Sequence, residues 1–305
     1  MNGDAAAALN ARIHATVRRI EIGTRRLTND SFQGGIQSRF RGRGMDFDEV
    51  REYAPGDDVR AIDWNTTART GRTFVKKYRE ERQLSILFVV DMSASGGLGA
   101  GEITKREQAS EIAGVLALAA LRNDHRVGLA LFTSEVERFV PPARGRSHAL
   151  RIVRDLVAFE PVGRGTNLAG ALRTIRERLR RRTVIVVLSD FLLGALGVDE
   201  SLPELRALAQ RHDVVTIRTG DSHDRELPSV GLVTIEDAET GEVVEVDTTS
   251  ATQRKRDETA VRESDERIRA LAKNAHVDML EVDTLRPHLG PLVGFLRSRS
   301  RGGRA

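Results

Sequence analysis

The chain has no cysteine in its 305 residues, which excludes disulfide scaffolds, cysteine zinc sites and thiol nucleophiles together. Aromatics are scarce, with ten Phe, two Tyr and one Trp, so there are few rings on which nucleic-acid bases could stack. Long apolar runs are also missing. The longest, Ile112 to Leu121, is half of the ~20 residues a membrane span needs. Ala5 to Leu9, followed by Arg12, is too short an apolar region for a secretory leader. The seven His residues (14, 125, 148, 212, 223, 276 and 288) show no His-x-x-x-His spacing that would hold a metal. These absences lead to the expectation of a soluble, cytoplasmic chain.

What is present is unevenly charged. The net charge of +4 hides eight Arg against three acids in residues 1–45 and five Arg with no acid in residues 286–305. The middle is therefore acidic on balance. The expectation for the two ends, a basic arm or helix over 1–37 and a tail over 300–305, is a solvated segment. The rival is a patch for nucleic acid or an acidic partner.

The texture changes near residue 82. Residues 38–82 are dense in Arg, Asp, Gly and Thr with short extended pieces such as Thr73 to Tyr78, while residues 83–299 alternate strands with helices. Leu84 to Val90 and Thr183 to Ser189 are nearly continuous apolar runs, the pattern of strands covered on both faces. Lys105 to Arg122 reads as a deeply buried helix. Arg126 to Phe132 follows as a strand, and Val136 to Val140 as an edge strand stopped by Pro141 and Pro142. Helices are expected over Ser147–Phe159, Leu168–Arg180, Leu202–Arg211, Thr252–Asn274 and His288–Arg297. Strands are expected over Asp213–Arg218 and Val277–Val282, with a hairpin from Leu232 to Val246 turning at Glu239-Thr-Gly241. The alternation implies an α/β fold with an open, doubly wound, mostly parallel sheet, flanked on its N-terminal side by an extended segment.

In such sheets, ligands bind at the carboxyl ends of the strands, where strand order reverses. Three polar clusters end elements that should meet there: Asp91-Met-Ser93-Ala-Ser95, Gly163-Arg-Gly165-Thr166-Asn167 and Ser189-Asp190-Phe191. Singly, each is an ordinary turn or cap. Together, Asp91, Ser93, Ser95, Thr166 and Asp190 offer three hydroxyls and two carboxylates, an all-oxygen set suited to magnesium, with manganese or calcium as alternatives. Two carboxylates just neutralise a divalent ion and leave it electrophilic. Such a site has room for one more anionic oxygen, which describes a docking point for a partner's Asp or Glu.

These five residues resemble the metal-ion-dependent adhesion site of von Willebrand factor type A domains, a Rossmann-type architecture, over about residues 83–299. The resemblance implies that the serines and the threonine touch the metal, that the aspartates often act through water, and that a ligand carboxylate completes the shell. The Gly-rich run 96–101 after Ser95 is longer than that family usually carries. A second resemblance lies in the signature formed by Arg51, Tyr53, Pro55, Gly56, Asp57, Asp58, Arg60, Asp63, Trp64 and Arg69. It is similar to bacterial domain-of-unknown-function family 58, whose members resemble accessory partners of MoxR-type AAA+ ATPases. Physically, Pro55-Gly56-Asp57-Asp58 reads as a turn, Arg60, Asp63 and Arg69 as a mutually satisfied polar network, and Trp64 as a packed anchor.

Enzyme readings are weaker. The Gly-rich run is followed by Glu102, without the Lys and Ser/Thr of a phosphate loop. Leu168 stands where a dinucleotide fingerprint beginning at Gly163 needs its third Gly. Phosphatases that use a strand-end Asp as nucleophile carry a second Asp two residues on, where this chain has Ser93. The clustered Arg176, Arg178, Arg180, Arg181 and Arg182 end a helix, where cations meet its dipole favourably. The expectation is a non-enzymatic, magnesium-dependent interaction factor working with a MoxR-type ATPase on a client complex. The alternatives are nucleic-acid association through the Arg-rich ends and, behind it, a magnesium-dependent phosphatase.

Overall fold

The structure, a computed structural model, describes residues 15–25, 27, 46–55, 57, 62–79, 83–99, 101–221 and 229–302. The chain divides into two units, Phe40–Gln83 and the remainder. Of the signature residues, Gly56, Asp58 and Arg60 lie outside the described residues, as does most of the arm 1–37.

The smaller unit pairs β1 (Asp46–Glu52) antiparallel with β2 (Phe74–Arg79) around the short helix α2 (Trp64–Thr70). Asp63 starts that helix. Its carboxylate accepts from the backbone N–H groups of Asn65 and Thr66 at 3.1 and 3.3 Å, satisfying two donors that a helix start leaves open. Asp57 accepts from Arg51 Nη2 at 2.6 Å and from the Ala54 N–H at 2.8 Å, which builds the expected turn. Asp63 serves as a helix cap and Arg69 is exposed, while Arg60, the third member of the expected polar network, lies outside the described residues. The Trp64 side chain is 69% exposed, so it is not packed within its own unit.

The larger unit is built on six strands: β3 (Ser85–Asp91), β4 (Arg126–Phe132), β5 (Val136–Ala143), β6 (Val184–Ser189), β7 (Asp213–Gly220) and β10 (Asp278–Asp283). Their spatial order is β10-β7-β6-β3-β4-β5. Every neighbouring pair is parallel except β4 and β5. Numbered by chain order within the sheet, this is 3-2-1-4-5-6, and strand order reverses between β3 and β6. The interiors of both strands, 86–90 and 184–188, are apolar, as strands covered on both faces require. Leu87, Val89, Ile185 and Val187 share a buried cluster with Leu168, Leu172, Ile175, Leu205, Leu208 and Ile268. Ile86, Phe88 and Val90, on the opposite face by the two-residue period of a strand, are 0% exposed as well.

The helices of this unit are α3 (Lys105–Arg122), α4 (Arg146–Ala158), α5 (Leu168–Arg178), α6 (Gly194–Arg211), α7 (Ala251–Ala275) and α8 (Leu289–Gly302), with a further helix, α1, over 15–25. α3 opens with a reciprocal cap: Thr104 Oγ1 accepts from the Glu107 N–H and the Glu107 carboxylate from the Thr104 N–H.

Three details differ from expectation for identifiable reasons. β5 continues through Pro141 and Pro142 to Ala143. It is an edge strand, and the facing residue is Gly128, where a Cβ would lie 2.8 Å from Pro142 N. α6 begins at Gly194, eight residues before the expected Leu202, and accommodates Pro203 inside it. Part of the basic arm is packed: Thr16, Ile20, Thr24 and Leu27 are buried, at helical spacing, and Arg19 Nε donates to Glu111 Oε2 at 2.8 Å. A separate antiparallel hairpin, β8 (Leu232–Glu236) with β9 (Val243–Asp247), turns where expected.

Candidate functional site

The two central strands end side by side, and their ends form the site. β3 runs out at Asp91, whose Oδ1 accepts from the Ser93 N–H at 2.9 Å and so turns the chain. Its Oδ2 accepts from Ser189 Oγ, the last residue of β6, at 2.6 Å. Ser93 Oγ and Ser95 Oγ lie 3.1 Å apart. Arg106, in the first turn of α3, donates from Nη2 to the Ser93 carbonyl at 2.7 Å and fixes the loop from behind.

Asp190 follows Ser189. Its Oδ1 accepts from the Leu192 N–H at 3.1 Å, while Oδ2 is buried with no hydrogen-bond partner. Phe191 turns the chain with φ +58° and is itself buried. An αL conformation is costly for an aromatic residue; here the Phe191 N–H donates to Ser189 Oγ at 2.9 Å and its ring joins the core. A cavity of about 290 Å³ opens beside Asp190, lined by Leu192, Arg218 and Asp265 among others, with Arg218 and Asp265 paired at 2.7 Å.

The third loop is drawn in by backbone bonds. The Ala94 N–H donates to the Arg164 carbonyl at 2.8 Å and the Asn167 N–H to the Thr133 carbonyl at 2.9 Å. Glu137 on β5 gathers the N–H groups of Val162 and Gly163 at 2.8 and 2.9 Å. These bonds, with one from Thr133 Oγ1, outweigh burial and hold the Glu137 carboxyl below its usual range. Thr166 thus arrives on the loop next to Ser93–Ser95. Its hydroxyl donates to Glu239 Oε1 at 2.5 Å and its N–H to Glu239 Oε2 at 3.1 Å.

Electrostatics follow from burial. Asp91, Ser93, Ser95 and Asp190 are all buried. The Asp91 carboxyl is pushed up to about 7, first by loss of solvent and then by the charge of Asp190, against the bonds from Ser189 and Ser93. Burial lowers the Arg106 guanidinium, while Asp91 and Glu107 act in the opposite sense.

The arrangement bears on a cation in two ways. A bare carboxylate oxygen at Asp190, two hydroxyls in contact and a second carboxylate repelled by the first fit a hard divalent ion, which would relieve both the bare oxygen and the repulsion. Asp91, however, has both oxygens engaged, and Thr166 is engaged by Glu239. Among the described residues no group of three or more His, Asp or Glu gathers as a metal cage. The set is open and hydroxyl-rich.

The structure therefore brings Asp91, Ser93, Ser95 and Asp190 to one place, with Thr166 on the adjoining loop. Sequence reasoning missed Arg106, Glu137 and Glu239, and placed Ser189 in a polar cluster without giving it a role. Ser189 was legible as a polar end to an apolar strand. Glu239 had no local signal beyond its place in a turn.

A family model described as "Protein of unknown function DUF58" matches residues 49–267. The chain belongs to the DUF58 family. The matched span contains both the Arg51–Arg69 signature and every candidate site residue. This DUF58 chain is 33% identical over 298 residues to "Uncharacterized protein Rv1480" of Mycobacterium tuberculosis (strain ATCC 25618 / H37Rv) and to "Uncharacterized protein Mb1516" of Mycobacterium bovis, covering 96% of this chain and 92% of each relative. Among solved structures, "conserved hypothetical protein BatB" from Bacteroides thetaiotaomicron is similar at a TM-score of 0.49 and 14% identity, over 72% of this chain and 99% of that one. No described helix of the DUF58 chain is long and apolar enough to cross a membrane.

Proposed function

We propose that this DUF58 protein is a non-enzymatic docking factor whose site takes a divalent cation, magnesium in the first instance, and through it an Asp or Glu of a partner protein. The observation that carries the reading is the buried, unpartnered Oδ2 of Asp190 at the switch point of the sheet, beside a second carboxylate and two touching hydroxyls. Asp91, Ser93, Ser95, Thr166 and Asp190 would hold the ion, in the manner of a von Willebrand factor A-like site. The ion would supply a positive, electrophilic face for an acidic side chain. The surroundings favour a protein ligand, because each of the three loops carries an exposed apolar side chain: Leu98 is 54% exposed, Val162 92% and Leu192 44%. Apolar groups around a charged centre suit a protein interface. The partner we propose is a MoxR-type AAA+ ATPase, acting with this protein on a client complex.

Calorimetric titration of the full chain with Mg²⁺, for wild type and Asp190→Ala, tests the cation. Wild type should bind and the variant should not. Association with the ATPase from the same cell should then disappear in chelator. Wild type that binds no Mg²⁺, or association unmoved by both chelator and Asp190→Ala, overturns the reading.

A further inference from the structure

The β8–β9 hairpin carries a second element of the same site. Glu239 lies at its tip, 73 residues along the chain from Thr166. Its two carboxylate oxygens meet the two donors of that one residue, the hydroxyl through Oε1 and the backbone N–H through Oε2. Two donors presented side by side are how a carboxylate is recognised bidentately. Thr166 also precedes Asn167, the N-cap of α5, where the helix dipole favours an anion. We propose that Thr166 is a receptor for an acidic side chain, that Glu239 is its resident occupant, and that a docking partner's Asp or Glu displaces it. The inference rests on the docking reading above for the identity of the incoming group.

The hairpin is constructed as a latch. Its tip is stiff: the Asp237 carboxylate accepts from the N–H groups of Glu239 and Thr240 at 2.9 and 2.8 Å. Gly241 closes the turn at φ +76°, a conformation that suits glycine. Its base is fixed, since Thr248 Oγ1 donates to the Gly231 carbonyl at 2.7 Å and Arg254 Nη1 donates to the Thr248 carbonyl, also at 2.7 Å. Between tip and base, no residue of β8 or β9 is fully buried. A two-stranded ribbon without a packed face is marginally stable by itself. The bonds to Thr166 are therefore what seats the tip, and they are the bonds an incoming carboxylate would take over.

Occupancy by Glu239 also commits the hydroxyl proton of Thr166. The Thr166 N–H can only donate and its hydroxyl gives the one proton it has, so a competitor that takes over both bonds must supply acceptor oxygens. Acidic side chains satisfy this and amines do not. A partner that must first displace the latch binds more weakly by the fraction of time the receptor stands open.

Hydrogen exchange on the full chain, with glutarate as the carboxylate probe in the presence of Mg²⁺, tests this. Glu239→Ala should speed exchange of the amides of residues 232–247 at least about fivefold, as expected when a local opening equilibrium shifts. Glu236→Ala, on an exposed carboxylate of the same hairpin, should not. Glutarate should loosen the hairpin in wild type and bind about tenfold more tightly to Glu239→Ala. Unchanged hairpin exchange or unchanged glutarate affinity in Glu239→Ala overturns the latch. If affinity depends on Mg²⁺ and on Asp190 but not on Glu239, the latch falls and the docking reading stands. If Glu239→Ala tightens binding while chelator and Asp190→Ala have no effect, the latch stands and the cation-dependent reading falls.

Discussion

Asp91→Asn should stabilise the cation-free protein at pH 8 and destabilise it relative to wild type once Mg²⁺ is present. The argument is electrostatic. Burial and the neighbouring Asp190 push the Asp91 carboxyl from 3.8 to about 7. A folded-state value above the unfolded one means that stability is fully present below about pH 4 and is lost as pH rises through about 7. With ~1.4 kcal/mol for each unit, keeping Asp91 ionised at pH 8 costs about 4 kcal/mol. Asn removes that cost but presents an amide to Ser189 Oγ, which now donates to Asp91 Oδ2; losing a hydrogen bond to a charged group costs ~1.5–3 kcal/mol. The net gain is about 2 kcal/mol, or ~4–8 °C in Tm for a domain of this size. Thermal unfolding followed by circular dichroism, in chelator at pH 5 and pH 8 and in Mg²⁺ at pH 8, would show it. At pH 5 the wild-type group is mostly protonated, so the advantage of the variant should vanish. In Mg²⁺ the wild type should rise above the variant, because the ion offsets the repulsion only where two carboxylates remain. A variant that is less stable than wild type in chelator, by the same margin at both pH values, refutes the claim that Asp91 carries a buried, repelled charge.

Two further outcomes concern the framework. His125 is buried, and loss of solvent lowers its imidazole to about 4, with Asp124 opposing; the associated stability is present above pH 6.5 and is lost as pH falls through 4, by ~3 kcal/mol. The stability difference between wild type and His125→Gln in urea unfolding should therefore shrink from pH 7 to pH 4.5, and parallel pH profiles would contradict the burial argument. Gly114→Ala should cost ~1 kcal/mol net, because the new Cβ would lie 2.6 Å from Ile20 Cδ1 and 3.0 Å from its Cγ1 where α1 meets α3, an overpacking cost of ~1–3 kcal/mol partly offset by the ~1 kcal/mol that Ala gains over Gly inside a helix. Adding Ile20→Val should recover part of it in a double-mutant cycle, and no recovery would mean that the two positions are not in contact.

How far the site could be read from the sequence depended on how local its signals are. β3 and β6 were legible because the five-residue apolar runs 86–90 and 184–188, bounded by polar residues, admit few other readings, and Asp91 and Asp190 were legible because they close those segments. The order of strands then brings the two ends together, which no local motif states. Long-range partners were not legible. Glu239 meets Thr166 across 73 residues, and a Glu in a turn has a sufficient local explanation. Ser189 looked like a cap, whereas its hydroxyl links the two central strands through Asp91. The early start of α6 was hidden by Pro203, which reads as a first-turn proline but lies well inside the helix. The arm failed for a different reason. Arg18, Arg19 and Arg25 dominate its charge, while the Thr16–Ile20–Thr24 stripe that packs it is short and mostly polar.

That packing changes what the basic ends can mean. Arg19, from the N-terminal arm, is bonded to Glu111. Arg299, from the C-terminal cluster, donates to Asp213 Oδ1 at 2.7 Å and to Asp278 Oδ2 at 2.8 Å and is itself buried. Arginines already paired inside the fold release no counterions from a phosphate backbone, so they add nothing to the salt dependence of nucleic-acid binding. They contribute instead to holding the sheet, since Asp213 begins β7 and Asp278 begins β10. Removing the partner of a buried carboxylate costs ~3–5 kcal/mol. Loss of nucleic-acid affinity on removing Arg299 would thus report unfolding before it reported a contact. The informative substitutions for that rival are exposed arginines such as Arg18 and Arg25, for which a change in salt slope carries no such ambiguity.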